Sequence, residues 1–78
     1  MNIGQAVKHR RERADLTRAQ LASRAGMPRQ SVVILESTEN SATLRTLGRV
    51  ALALQVNVWE LVQDAEAYAS SAPAGAAK

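Results

Sequence analysis

The chain has 78 residues and a net charge of +3, with ten Lys and Arg against seven Asp and Glu. A chain of this length forms one small domain. The absence of Cys excludes a disulfide framework, a thiolate zinc site and a Cys nucleophile. Aromatic residues make up only 3% of the sequence, which disfavours single-strand binding by base stacking. No apolar run has the length of a signal peptide or a membrane span, so we expect a soluble, cytoplasmic protein.

The first predicted helix covers residues 2–13. Ile3, Ala6, Val7 and Arg10 recur at the spacing i, i+3, i+4, i+7, which places them on one helical face. Basic residues crowd the second half of this segment, where cations suit the negative end of the helix dipole. The pattern predicts an amphipathic helix, and we expect Arg10 to be solvated.

Two short helices follow, joined by a tight turn. Thr17 and Gln20 form a T-x-x-Q capping box that predicts the start of the second helix. Gly26 is expected to end it, because glycine takes the left-handed backbone conformation without strain. Pro28 is tolerated near the start of the third helix. Two short helices joined in this way form a helix-turn-helix pattern.

Two further helices complete the predicted fold. Thr43 is the expected N-cap of the fourth, whose inner face is predicted to carry Leu44, Leu47, Val50, Ala51 and Leu54. Asn57 and Glu60 form a second capping box, which opens the fifth helix. Five short helices with short connections indicate an all-α compact bundle over residues 1–68. Residues 69–78 are mostly small, and we expect a disordered tail there.

The run from Leu16 to Glu36 reads LTRAQLASRAGMPRQSVVILE and resembles the helix-turn-helix of the Cro/phage-repressor (XRE-type) DNA-binding proteins. The flanking helices agree, so the resemblance covers residues 2–62. It implies a lambda-repressor-like domain that binds double-stranded DNA as a transcriptional regulator, expected to be a repressor. The implied setting is a bacterial or phage nucleoid. We expect no enzymatic activity, no metal and no cofactor, since no acid pair, metal cluster or nucleophile–base set is recognisable.

The resemblance assigns base contacts to the third helix. An Arg suits a bidentate contact with guanine, and a Gln suits adenine. Val33 and Ile34 are apolar where the family more often has polar residues on the third helix. Their side chains could reach thymine methyl groups. The predicted base contacts are Arg29, Gln30, Ser31, Val33 and Ile34.

The resemblance also implies phosphate contacts and a structural ion pair. Phosphates would be held at the starts of the second and fourth helices, where free amides favour anions. Arg11 and Glu36 match a partly buried pair that ties the first helix to the third. Asp15 stands where Gly is common, and Asp tolerates a left-handed backbone there. The predicted phosphate contacts are Thr17, Arg18, Ser41, Thr43 and Arg45.

The sequence leaves two questions open, one about dimer formation and one about a second protein partner. A homodimer is expected, with a candidate interface of Asn57, Val58, Trp59 and Val62, although Trp59 could instead pack within the monomer. The stretch ESTENSATLRTL, from Glu36 to Leu47, also looks like that of HipB-type antitoxins, which bind both DNA and a kinase toxin. A transcriptional regulator and an antitoxin are therefore the two function hypotheses.

Overall fold

The computed structural model describes the backbone of residues 2–37 and 43–77 and the side chains of residues 2–37 and 43–67. Within these ranges the chain is helical and contains no strand. The predicted all-α five-helix architecture is therefore confirmed. The helices are α1 (Ile3–Arg13), α2 (Arg18–Ala25), α3 (Arg29–Ser37), α4 (Leu44–Leu54) and α5 (Val58–Ala77).

The first helix begins at Ile3, one residue after the predicted start. Asn2 caps it, with its side-chain oxygen accepting a hydrogen bond from the Gln5 amide at 2.9 Å. The helix ends at Arg13, and Asp15 then adopts a left-handed conformation with φ of 59°. The expectation that Asp tolerates this backbone at the glycine position is confirmed.

A hydrophobic core forms among the five helices, where α1 packs against α3, α4 and α5, α2 packs against α3 and α4, and α4 also touches α5. Each of the five helices contributes one of the largest fully buried side chains, which are Val7, Leu21, Val32, Val50 and Leu61. Burying each of them contributes about 1.5–3 kcal/mol relative to exposure. Short helices are marginal alone, so this shared core holds them in place.

An ion pair fastens α1 to α5. Arg10 Nε lies 2.6 Å from Asp64 Oδ2, and Arg10 Nη2 donates to Oδ1 at 3.4 Å. The hydrogen bond to Asp64 raises the pKa of Arg10 above its usual value. The prediction of a merely solvated Arg10 is wrong, because its partner lies 54 residues away on a helix that the local pattern does not reach.

The inner face of α4 differs from its prediction at one position. Leu47, Val50 and Ala51 are buried, and Leu54 packs against the core, but Leu44 is 75% exposed. Helical side chains tilt toward the N-terminus of their helix. Leu44 is the first residue of α4, so its side chain projects past the helix end rather than over a preceding turn.

The last helix is longer than predicted. Its backbone is helical to Ala77, through residues 69–77 that the composition predicts to be disordered. Ala, the residue with the highest helix propensity, is frequent in this segment. The domain boundary at residue 68 stays a prediction. Within the described part of the chain, no helix is both long enough and apolar enough to cross a membrane.

Candidate nucleic-acid interface

The turn between α2 and α3 is built from local sequence signals. The Thr17 amide donates to Gln20 Oε1 at 2.8 Å, and the Gln20 amide donates to Thr17 Oγ1 at 3.1 Å, which confirms the capping box. Gly26 has a φ of 68° and ends α2 as predicted. The chain then needs only Met27 and Pro28 before α3 begins. The two helices therefore have a short connection that leaves the start of α3 at the surface.

Three of the five predicted base-contact residues lie on the exposed side of α3. Val32 and Leu35 are buried in the core. Arg29 and Gln30 are exposed, and Ile34 is 53% exposed. Their exposure gives α3 an outward face that begins with a cation and an amide.

The remaining two predicted base-contact residues are less accessible. Ser31 and Val33 are half-buried. Ser31 lies on the side of α3 that faces α4, where it lines a surface pocket. The outward face of α3 is therefore formed chiefly by Arg29, Gln30 and Ile34.

A buried ion pair holds α3 against α1, as the resemblance implies. Arg11 Nε lies 2.6 Å from Glu36 Oε2, and Arg11 Nη2 donates to Glu36 Oε1 at 3.3 Å. Arg11 Nη1 also donates to the Leu16 carbonyl at 2.7 Å. The Glu36 side chain is only 3% exposed, so its charge depends on these donors rather than on water. Among the described residues, no buried side-chain nitrogen or oxygen lacks a hydrogen-bond partner.

Arg18 shares the same carboxylate. Its Nε donates to Glu36 Oε1 at 3.0 Å, and 40% of its side chain is exposed. The sequence predicts Arg18 as a phosphate contact but does not predict its pairing with Glu36. The sequence contained a feature that could have predicted this pair. Glu36 is the one acidic residue between Asp15 and Glu39, and Arg18 opens the neighbouring helix. The phosphate role of Arg18 stays a prediction.

The start of α4 carries the second group of predicted phosphate contacts. Thr43 caps the helix, since its hydroxyl oxygen accepts from the Thr46 amide at 3.2 Å. Arg45, in the first turn, is exposed. Ser41 lies outside the described residues. One pocket between the α2–α3 turn and α4 has both Ser31 and Arg45 in its lining, so a predicted phosphate contact on α4 adjoins a predicted base contact on α3.

The predicted dimer residues lie around the start of α5. Asn57 is exposed, Trp59 is 63% exposed, and Val58 and Val62 are half-buried. Val58 also packs against the core. Leu52, which is not among the predicted interface residues, is 80% exposed near the end of α4. These side chains leave apolar surface uncovered in the described part of the monomer.

Comparisons with known proteins agree with this arrangement. A family model described as a helix-turn-helix domain matches residues 2–62. The chain is also similar to the restriction-modification controller protein C.AhdI from Aeromonas hydrophila, whose crystal structure superposes with a TM-score of 0.71. The two share 27% sequence identity over 76% of this chain and 89% of that one. Among curated proteins, no sequence matches.

Proposed function

Because the chain belongs to the helix-turn-helix domain family, we propose that it is a transcriptional repressor that reads duplex DNA with α3. The observation that carries this proposal is the exposure of Arg29 and Gln30 at the start of α3. In helix-turn-helix proteins the first residues of the recognition helix contact base edges in the major groove. Both side chains can make bidentate contacts, Arg with guanine and Gln with adenine. The similarity to a controller protein supports a regulatory role.

The size and rigidity of α3 suit this role. An α-helix with its side chains is about 10–12 Å wide, close to the width of about 12 Å of the major groove. The core side chains Val32 and Leu35 fix one face of α3, and the Glu36 carboxylate fixes its end through Arg11. Side chains on a rigid element can hold a contact geometry at low entropic cost. The outward face of α3 is therefore preorganised for a groove.

Phosphate contacts would set the register of α3 on the duplex. We assign this role to Thr17 and Arg18 at the start of α2 and to Thr43 and Arg45 at the start of α4, with Ser41 from the adjoining segment. The exposed guanidinium of Arg45 and the half-exposed one of Arg18 are available for such contacts. Contacts of this class contribute affinity and orientation rather than sequence preference.

We further propose that the protein acts as a homodimer on a palindromic operator. Exposed Trp59 supports this proposal, since Trp is enriched at the centres of protein interfaces. A two-fold dimer would place two α3 helices on half-sites about one helical turn, roughly 34–36 Å, apart. Asn57, Val58 and Val62 would surround Trp59 in that interface.

The antitoxin alternative depends on the stretch from Glu36 to Leu47. Residues 38–42 of that stretch lie outside the described residues. No feature of the described part favours a kinase toxin as partner, so the regulator is the function that we propose.

A binding selection tests the proposal. The purified full chain is mixed with a library of genomic duplex fragments, and bound fragments are sequenced after repeated selection. We expect enrichment of a two-fold symmetric site that includes guanine or adenine at the positions facing Arg29 and Gln30. Recovery of fragments without any common sequence would contradict sequence-specific recognition.

A further inference from the structure

A surface pocket lies between the α2–α3 turn and the first half of α4. Its volume is about 230 Å³. Pockets that hold drug-sized ligands measure about 300–1,000 Å³, so this one suits a smaller group. It is lined by Gly26, Met27, Pro28, Ser31, Arg45, Thr46 and Arg49.

The lining of the pocket is cationic. Arg45 and Arg49 are one helical turn apart on α4, and both are exposed. None of the seven lining residues is acidic. Neither arginine forms an ion pair with a carboxylate of residues 2–37 or 43–67. Two arginines thus line one concavity, and neither has a carboxylate partner in the described part of the chain.

Arg49 is held at the pocket by a weak contact. Its Nη1 donates to the Gly26 carbonyl at 3.5 Å, which is longer than the usual 2.7–3.2 Å of an N–H···O hydrogen bond. The rest of the guanidinium fork stays available. An anion in the pocket could replace this contact with shorter, charge-assisted bonds.

We propose that this pocket binds a phosphate group, with Arg49 and Arg45 as its two cationic ligands. Arginine matches the geometry of phosphate bidentately, and two forks on one side suit a group with several equivalent oxygens. The hydroxyls of Ser31 and Thr46, also in the lining, add hydrogen-bond donors of the kind that phosphate oxygens accept. The proposal adds Arg49 to the predicted binding surface.

The phosphate group could belong to a DNA strand or to a free phosphorylated compound. The first source rests on the proposed function, because Ser31 and Arg45 are also predicted DNA contacts. The second does not depend on DNA binding. Two measurements on the full chain separate these sources.

The first measurement is the salt dependence of duplex binding, followed by fluorescence anisotropy between about 50 and 200 mM salt. If the pocket holds a phosphate of a DNA strand, Arg49→Gln should make the slope of log K against log salt less steep by about 0.9. This is the change expected for the loss of one phosphate contact. Arg49→Lys keeps the charge and should preserve the slope while weakening binding. Arg24→Gln removes an exposed arginine outside the pocket and should leave both unchanged.

The second measurement is an NMR titration with inorganic phosphate, compared with chloride at matched ionic strength and without DNA. We expect the Gly26, Ser31 and Thr46 amides to shift with phosphate only, and Arg49→Gln to abolish those shifts. Circular dichroism melting curves check that each variant is folded. Phosphate shifts with an unchanged DNA slope identify a free phosphorylated compound as the occupant.

The proposal is overturned if phosphate causes no NMR shifts and Arg49→Gln leaves the salt slope unchanged. If the native chain binds no duplex at all, the proposed function fails by itself. In that case the phosphate titration still decides for or against the pocket.

Discussion

Arg18 and Glu36 form an ion pair, with Arg18 Nε donating to Glu36 Oε1 at 3.0 Å. The same carboxylate also accepts two hydrogen bonds from Arg11, so one buried charge joins the ends of α1, α2 and α3. The two arginines differ in environment, since the Arg11 side chain is 10% exposed and that of Arg18 is 40% exposed. Arg11 is therefore enclosed by the protein, whereas Arg18 also reaches the solvent.

The difference in burial predicts unequal effects on stability. Arg11→Met should lower the free energy of unfolding by about 3 kcal/mol, the lower end for a broken buried pair, because Arg18 still neutralises Glu36. Arg18→Met should cost about 0–1 kcal/mol, as for a pair open to solvent. Urea denaturation followed by circular dichroism measures both values at one protein concentration. Equal losses would contradict the assignment of the structural role to Arg11.

Arg18 is also predicted to contact a phosphate while it stays paired. Only its Nε donates to Glu36, so its two terminal nitrogens remain available to an anion. We expect Arg18→Gln to weaken binding to all duplexes equally and to lower the salt slope by about 0.9. Arg13→Gln, which changes an exposed arginine at the end of α1, serves as the matched control. An unchanged slope for Arg18→Gln removes it from the phosphate contacts.

Features set by neighbouring residues were predictable from the sequence. The capping pair of Asn57 and Glu60 is confirmed, with the Glu60 amide donating to Asn57 Oδ1 at 2.8 Å and the Asn57 amide donating to Glu60 Oε1 at 3.0 Å. Thr17 and Gly26 likewise start and end α2 where expected. Such signals act over three or four residues, so the local sequence contains both partners.

Features set by packing between helices were not predictable from spacing alone. The partner of Arg10 is Asp64 on α5, and the second partner of Glu36 is Arg18 on α2. Helical periodicity identifies the face of a charged residue but not the helix opposite it. Helical periodicity also placed Leu44 on the inner face of α4. It does not show that a residue at the end of a helix can extend beyond the core. The Arg11–Glu36 pair was reached through family resemblance rather than through spacing.

The base-contact assignment predicts a local loss of specificity. Arg29→Ala or Gln30→Ala should weaken binding to the selected operator by about 1–3 kcal/mol and relax preference at one base pair. The reason is that each exposed side chain can satisfy two hydrogen bonds to a single base. Repeating the binding selection with each variant locates the relaxed position. Arg24→Ala, on α2, should leave the preference intact. An equal loss on operator and random duplex argues against base contact.

The dimer assignment predicts that Trp59 is covered when two chains associate. Trp59 is the only Trp of the sequence, so the fluorescence of the native chain reports on this side chain alone. It is 63% exposed in the monomer, and we expect its emission to shift to shorter wavelength as the concentration rises and the interface forms.

Trp59→Ala should raise the dimer dissociation constant by 30-fold or more, about 2 kcal/mol, as for a residue at the centre of an interface. Sedimentation equilibrium measures this constant directly. Leu44→Ala is the matched control, because Leu44 is a large side chain that is 75% exposed but lies outside the predicted interface. If the two variants weaken association equally, or if the emission of Trp59 does not change with concentration, the interface lies elsewhere. Operator binding by Trp59→Ala should then be compared at concentrations above and below the native dissociation constant, because a dimer-dependent repressor loses affinity only where its monomers prevail.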